Sequence, residues 1–211
     1  MDKKKKLLLI ALGIVIAALA VFGVLKYRKA TPLICLDAGH GGSDTGAMTD
    51  DRLEKDDNLK MTLAVGKILE EKGYRVIYTR KDDSTVSLEE RYEFSNEKKA
   101  TVFVSIHRNS ADDTDVTGIE AWIKNTSPVP DLSLAKTVLK KLDEVGFGKN
   151  RGVSAGYRGD ITKNYAVNAG TKCKSCLLEL GFMTNIGDNK LFDRNFDAYA
   201  AAIADGIIDS L

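Results

Sequence analysis

The chain has 211 residues, of which 44% are hydrophobic and 29% charged, and its formal net charge is +1. Seven basic residues and one acidic residue fall within residues 1–29, so residues 30–211 keep 24 basic and 29 acidic side chains, a net charge of −5. Binding to nucleic acid needs a basic surface that neutralises phosphates, and we therefore expect no nucleic-acid partner for this acidic domain.

Residues 7–25 form an uninterrupted run of apolar residues and glycine. At about 1.5 Å per residue, a helix of that length matches the hydrocarbon core of a bilayer. The lysines at 3–6 and the basic residues after the run favour an uncleaved anchor in the cytoplasmic membrane, with its amino terminus inside. Ala18-Leu19-Ala20 leaves a second interpretation open, a cleaved signal peptide. In both cases residues 30–211 lie outside the cytoplasm.

Strands and helices alternate in the rest of the chain. In chain order the patterns predict a strand at 33–37, a helix ending near Gly73, a strand at 74–80, a helix from Ser87 to about Lys99, strands at 102–107 and 118–123, a helix at 131–146, an exposed irregular segment with one short strand at 147–175, a strand at 176–180 and an amphipathic helix from residue 195 onward. This alternation predicts the α/β class: a mostly parallel twisted sheet with helices on both faces, in a single catalytic domain after the membrane segment.

The chain has two histidines, and each ends a predicted strand. His40 closes LICLDAGH and precedes a glycine-rich loop, and His107 closes VFVSIH. Chemistry in open α/β sheets gathers outside the carboxyl ends of the strands, so we expect both imidazoles at one site. A catalytic zinc takes three protein ligands and keeps a fourth position open, so a carboxylate must complete such a set.

Glu54 is the best candidate for the third ligand because it opens the helix that follows the glycine-rich loop. Several nearby acids remain alternatives that spacing does not eliminate: Asp37, Asp44, Asp50, Asp51, Asp56 and Asp57. Glu179 lies within the apolar run CLLELGF, where burying a carboxylate is costly without a partner. We interpret Glu179 as a general base that takes a proton from a metal-activated water and delivers it to a leaving amine.

Seven segments of the chain carry a resemblance to a known family: LDAGHGGSDTGA, LEKDDNL, TRKDDSTVSLEERYEFSN, VFVSIHRNS, GIEAW, NRGV and LLELGFMTN. Through these motifs about residues 33–211 resemble the zinc-dependent N-acetylmuramoyl-L-alanine amidases of the type-3 amidase class. The resemblance implies one zinc per domain, held by His40, Glu54 and His107, with Glu179 as the catalytic carboxylate. It also implies hydrolysis of the bond between N-acetylmuramic acid and L-alanine in peptidoglycan. The resemblance, and not the spacing, selects Glu54.

The chain departs from the family pattern at two places. Arg108 follows the second histidine, where the family usually has a small residue, and Ala166-Val167-Asn168 is less apolar than the family pattern. We expect Arg108 and Asn109, with the loop at 147–172, to line the groove for glycan or peptide. These departures concern the groove and its substrate preference, since they leave the four residues of the predicted site in place.

A catalytic domain behind an amino-terminal anchor is similar to the spore-cortex amidases that prepare muramic lactam. Two other functions stay open at this point. A zinc peptidase acting on the stem peptide uses the same metal site, and a non-catalytic wall-binding module needs only the anchor and the fold. The sequence also leaves open whether an accessory protein is needed.

Overall fold

The computed structural model describes residues 2–49 and 52–211. It divides into two units, Met1–Pro32 and Leu33–Leu211. The first unit contains the helix α1 (Lys3–Ala30), in which a window of 18 residues has a mean hydropathy of 2.6, and the apolar stretch Lys3–Gly23 is long enough to cross a membrane. A signal sequence has the same length and composition, so the helix fits both interpretations of the amino terminus.

The second unit alternates strands and helices. Its elements are β1 (Leu33–Ala38), β2 (Met48–Thr49), β3 (Arg52–Leu53), α2 (Glu54–Glu71), β4 (Arg75–Tyr78), α3 (Leu88–Glu97), β5 (Val102–Asn109), β6 (Ile119–Ile123), α4 (Val129–Glu144), β7 (Asn150–Ala155), α5 (Ala166–Gly170), β8 (Lys174–Phe182), α6 (Ile186–Arg194) and α7 (Phe196–Asp209). Six strands form one sheet in the order β4-β1-β5-β8-β6-β7. The first four are parallel, β6 is antiparallel to β8, and β7 is parallel to β6. The predicted mostly parallel sheet is confirmed.

Helices cover both faces of this sheet. Successive strand residues point to opposite sides, so an apolar strand gives each face an apolar surface that a helix can bury. In β1, Ile34 and Leu36 belong to the larger apolar cluster, which also holds buried residues of α2, α4 and α7. Cys35 points the other way, into a smaller cluster with Phe103, against which Phe94 of α3 packs. The prediction of helices on both faces is therefore confirmed, and the smaller cluster marks the face that carries the site.

Some helix starts and short elements agree with the local sequence patterns, and others were not predicted. Ser87 and Glu90 form the predicted capping box, since Ser87 Oγ accepts from the Glu90 amide and Glu90 Oε2 accepts from the Ser87 amide. The segment at 147–175 contains the one predicted short strand, β7, and also the short helix α5. Helix α6 was not predicted, because its nine residues are too few for a clear helical period.

The register of the sheet brings distant polar residues together on the face of the smaller cluster. Asp37 in β1 is opposite Ser105 in β5. His107 in β5 is opposite Glu179 in β8, and Glu179 is opposite Glu120 in β6. Paired residues on neighbouring strands share a face, so these side chains form a polar row near the carboxyl ends of β5 and β8.

Candidate metal centre

Three side chains from distant parts of the sequence converge at the carboxyl ends of the parallel strands. One potential ligand atom from each of His40, Glu54 and His107 lies within 4.8 Å of the other two. Glu54 Oε2 lies 3.2 Å from His40 Nε2, and Glu54 Oε1 lies 3.0 Å from His107 Nδ1. The structure therefore places the three predicted ligands around one point.

Glu54 is oriented by backbone groups from two other elements. It is the first residue of α2, and its Oε2 accepts from the Ala47 amide at 2.9 Å. Its Oε1 accepts from the Arg108 amide at 3.1 Å and from Asn58 Nδ2 at 3.2 Å. These donors hold the carboxylate towards the two imidazoles, and an anionic group is also stabilised at a helix amino terminus.

His40 has an unusual backbone conformation. Its φ is 62°, in the left-handed region that residues other than glycine rarely adopt. Arg91 Nη2 donates to its carbonyl oxygen at 2.8 Å, and Asp44 Oδ2 lies 2.8 Å from its Nδ1. Because Asp44 occupies Nδ1 of the His40 ring, the other ring nitrogen, Nε2, faces Glu54. A carboxylate on the second ring nitrogen is the usual way to orient a metal-binding histidine.

Gly39 explains how the two imidazoles come together. A Cβ atom at this position would lie 2.2 Å from ring atoms of His107, so only glycine leaves room for the ring. The ring centroids of His40 and His107 are 4.9 Å apart, with an angle of 79° between the ring planes. The glycine-rich sequence at this strand end therefore serves close packing of the site.

The electrostatics of the cluster reflect strong attraction between its members. Burial opposes the protonated form of His40, but hydrogen bonds with Glu54 and Asp44 raise its pKa to about 9. Burial also opposes the charged form of Glu54, and hydrogen bonds with His107 and His40 nevertheless hold its pKa below the ordinary range. Two imidazoles and a carboxylate form a donor set suited to a divalent metal ion, whose binding displaces protons from the imidazoles.

The other acids near the loop have different partners. Asp37 is fully buried and binds Arg91, Asp57 pairs with Arg52 and Arg108, and Asp44 contacts His40 from outside the cluster. Asp56 is exposed at the start of α2. Asp50 and Asp51 lie outside the described residues.

Glu179 lies beside the three converging side chains and only 8% of it is exposed. Among the residues that the structure describes, its Oε2 has no hydrogen-bond partner. Burial raises the pKa of Glu179 well above its ordinary value, and the charge of Glu54 acts in the same direction. The predicted acid/base carboxyl is thus a buried group with an open acceptor atom.

Residues 34–209 match the model of a protein family described as N-acetylmuramoyl-L-alanine amidase. The chain belongs to this amidase family. It is similar to the "Probable cell wall amidase LytH" of Staphylococcus epidermidis, with 32% identity over 182 residues. That match covers 84% of this chain and 56% of the relative, so the chain spans about half the length of the curated relatives it matches.

Solved structures of amidases show the same fold. The N-acetylmuramoyl-L-alanine amidase AmiC2 of Nostoc punctiforme is 36% identical with a TM-score of 0.75, covering 84% of this chain and 96% of that chain. The CwlD amidase from Clostridioides difficile, solved in complex with the GerS lipoprotein, is 30% identical with a TM-score of 0.77. That match covers 85% of this chain and 98% of the CwlD chain.

The amidase domain has a cavity of about 610 Å³ at the metal centre. The lining includes the metal centre and Glu179, the start of α3 with the residue before its cap, and the segment before α5: His40, Glu54, His107, Glu179, Val86, Leu88, Tyr157, Arg158 and Tyr165. Residues at the strand ends and residues of the loops thus line the same cavity.

Arg108 and Asn109 border the cavity of the amidase domain, but their side chains have protein partners. Arg108 is 2% exposed, and its guanidinium binds Asp57 at 2.6 Å and lies 4.1 Å from the ring centroid of Phe192. Burial lowers its pKa to about 10. Asn109 is 4% exposed and donates to Glu120 at 3.0 Å. This geometry favours an internal role for Arg108, and direct substrate contact by either residue stays a prediction.

The sequence reasoning missed one polar residue of the amidase site, Glu120, and expected Arg158 only as part of the loop at 147–172. Glu120 is 5% exposed and lies beside Glu179, and Arg158 reaches the cavity from the segment after β7. Glu120 had the same signal as Glu179, a carboxylate within an apolar strand, in the motif GIEAW. Arg158 had no distinguishing signal, because it stands in a glycine-rich irregular segment.

Proposed function

We propose that this chain hydrolyses the amide bond between the lactyl group of N-acetylmuramic acid and L-alanine of the stem peptide in peptidoglycan. Membership of the amidase family supports this proposal. The observation that carries it is the pairing of His107 with Glu179 on adjacent strands, which puts a buried carboxyl beside the converging His40, Glu54 and His107. In this proposal residues 1–29 are the membrane segment and residues 30–211 the catalytic domain.

The proposed cofactor is one zinc ion, held by His40, Glu54 and His107. When bound by these residues, a zinc ion would supply Lewis-acid chemistry, which polarises a carbonyl and lowers the pKa of water to about 7. Glu179 accepts the proton of the attacking water at Oε2, the atom that has no hydrogen-bond partner among the described residues. It then donates this proton to the amide nitrogen as the C–N bond breaks, so water is divided between the lactyl carboxylate and the freed amine.

The two rival functions predict different products. We would incubate the full-length protein, solubilised in detergent with zinc, with purified peptidoglycan and identify the soluble products by mass spectrometry. An amidase frees peptides that begin with L-alanine and leaves the glycan intact. A stem-peptide zinc peptidase frees shorter peptides and leaves L-alanine on the glycan, and a wall-binding module frees nothing. The Glu179→Gln protein is the matched control, and either rival pattern would overturn the proposal.

The proposed location is outside the cytoplasmic membrane, with α1 as a single-span anchor at residues 7–25. The length and hydropathy of α1 support the span. The similarity to CwlD, which was solved with the GerS lipoprotein, supports the inclusion of an accessory protein in the proposal. Assays with and without the membrane fraction of the source cells would test whether such a protein raises the activity.

A role in the spore cortex, including formation of muramic lactam, is part of the proposal on the strength of the resemblance to cortex amidases. Muropeptide profiles of a deletion strain separate this role from one in the vegetative wall. Loss of muramic lactam from spores supports the cortex role. A change confined to the wall of growing cells would assign the activity to vegetative peptidoglycan instead.

A further inference from the structure

Arg158 differs from the other cations at the amidase cavity. Three arginines line this cavity: Arg91, Arg108 and Arg158. The side chains of Arg91 and Arg108 are 4% and 1% exposed, and each is paired with a buried or nearly buried aspartate. The side chain of Arg158 is 43% exposed. Of the three arginines that line the cavity, Arg158 is therefore the one that a ligand can reach most easily.

The protein holds Arg158 in place through only part of its guanidinium group. Arg158 donates to Asn109 Oδ1 at 2.9 Å and to Glu120 Oε1. Glu120 also binds Arg151, with Oε2 accepting from Arg151 Nε at 2.9 Å. Two guanidinium groups thus share the Glu120 carboxylate, and the carboxyl of Glu179 is opposite Glu120 on the neighbouring strand. The remaining N–H groups of Arg158, of the five that a guanidinium carries, have no partner among the described residues.

Aromatic contacts fix the segment that carries Arg158. Tyr157 packs against Tyr165 with 4.7 Å between ring centroids, and Tyr165 packs against Trp122 of β6 at 5.5 Å. Trp122 Nε1 donates to Glu120 Oε1, the same oxygen that binds Arg158. The arginine is therefore oriented before a ligand arrives, which lowers the entropic cost of binding.

The sheet register gives the separation between the strand positions of Glu120, which binds the Arg158 guanidinium, and His107 of the metal centre. His107, Glu179 and Glu120 are opposite one another on three adjacent strands, β5, β8 and β6. Neighbouring strands lie about 4.8 Å apart, so Glu120 lies about 10 Å from His107. An extended peptide covers about 3.3 Å per residue, and about three residues therefore span that distance.

We propose that Arg158 is a subsite for a free carboxylate on the stem peptide, borne within about three residues of the scissile amide. This inference rests on the proposed function and names one determinant of substrate choice. A guanidinium binds a carboxylate through two parallel hydrogen bonds, which a neutral carboxamide cannot reproduce. Asn109 then also acts as a positioning residue, because its amide oxygen holds the guanidinium of Arg158.

The test compares two synthetic substrates that differ in one group. Both are N-acetylmuramoyl tripeptides with an amidated C-terminus and a third residue without an acidic group; the second residue bears a free carboxylate in one and the corresponding carboxamide in the other. We expect the full-length wild-type protein with zinc to have a lower KM for the carboxylate substrate. In Arg158→Gln the ratio of the two KM values should shift by about tenfold or more towards the carboxamide, the scale of a charge-assisted hydrogen bond. Arg158→Lys should restore part of the preference.

Lys163→Gln is the matched control, since it removes one positive charge from the same segment at a side chain that is 73% exposed. It should retain the wild-type ratio. Equal KM values for both substrates in the wild type would overturn the subsite and leave the amidase function intact. The same would follow if Arg158→Gln raised both KM values equally, which indicates a structural role. Failure of the wild type to cleave either substrate would overturn the proposed function itself.

Discussion

His107 and Glu179 are directly opposite one another on the parallel strands β5 and β8, although 72 positions separate them in the sequence. The pairing places an imidazole of the candidate metal centre next to a carboxyl that is 8% exposed. Neither side chain depends on a flexible loop for this arrangement. Because the pairing of β5 with β8 sets the register, the candidate ligand and the proposed base are placed by the backbone of the sheet.

The first prediction concerns Glu179. Glu179→Gln should retain the fold and the bound zinc, because Glu179 is not one of the three converging ligands. Its turnover of peptidoglycan should fall by about 100-fold or more, the scale expected for a positioned acid/base group. Circular dichroism and zinc analysis of the same sample separate lost chemistry from lost structure. Near-normal turnover would remove the proposed role, and loss of zinc would make Glu179 a ligand instead.

The second prediction concerns the metal. The full-length protein should contain about one zinc ion per chain, measured by plasma mass spectrometry after purification. Glu54→Gln should lose most of this zinc, because a carboxamide is a weak ligand, and His107→Ala should behave alike. Glu71→Gln is the matched control on the same helix, with a side chain that is 64% exposed. Full occupancy in both His40→Ala and His107→Ala would exclude the proposed centre.

The third prediction concerns the buried carboxylate beneath the site. Asp37 binds Arg91 at 2.8 Å and accepts from Thr79 and Ser105 at 2.6 Å. Asp37→Asn leaves the guanidinium buried without its partner and should lower the free energy of unfolding by about 3–5 kcal/mol. Urea denaturation at pH 7 and constant zinc measures this change. Asp112→Asn, at an exposed position, should stay within about 0.5 kcal/mol of wild type.

The same variant should change the response to acid. Burial opposes the charge of Asp37, but Arg91, Ser105 and Thr79 hold its pKa below the ordinary value. A lowered folded-state pKa stabilises the fold above the unfolded-state pKa of about 3.9, and this stabilisation is lost as pH falls through the folded-state pKa. Asp37→Asn should therefore lose less stability than wild type below about pH 4. If the free energy of unfolding fell by the same amount in both proteins as the pH was lowered, this assignment would be contradicted.

The fourth prediction concerns the amino terminus. If α1 is an anchor, mass spectrometry of the native protein should find residues 1–29 still attached, and the protein should stay with membranes after a high-salt wash. Salt removes proteins held by surface charge but not a hydrophobic span of this length. A mature amino terminus near Val21 would make the segment a signal peptide and leave the domain free to diffuse.

The sequence alone was sufficient for the sheet and for most of the site. The apolar runs that became β1, β5 and β8 each carry a polar residue at or near the carboxyl end, and parallel strands bring such ends to one edge. His40, His107 and Glu179 could therefore be placed at one site before any contact was known. That argument needs only the apolar runs that predict the strands and the end of each run at which the polar residue stands. Both can be found in short stretches of sequence.

Tertiary structure decided which acids and arginines complete the site. Glu54 and Asp57 stand on the same first turn of α2, and spacing left both open, so that the family resemblance alone selected Glu54. The structure gives the physical reason, because Asp57 pairs with Arg108 and Glu54 meets the imidazoles. Likewise Arg108, expected at the groove, is buried, whereas Arg158 reaches the cavity from an irregular segment. The partner of a charged side chain is set by packing between elements far apart in the chain, and local sequence patterns do not contain that information.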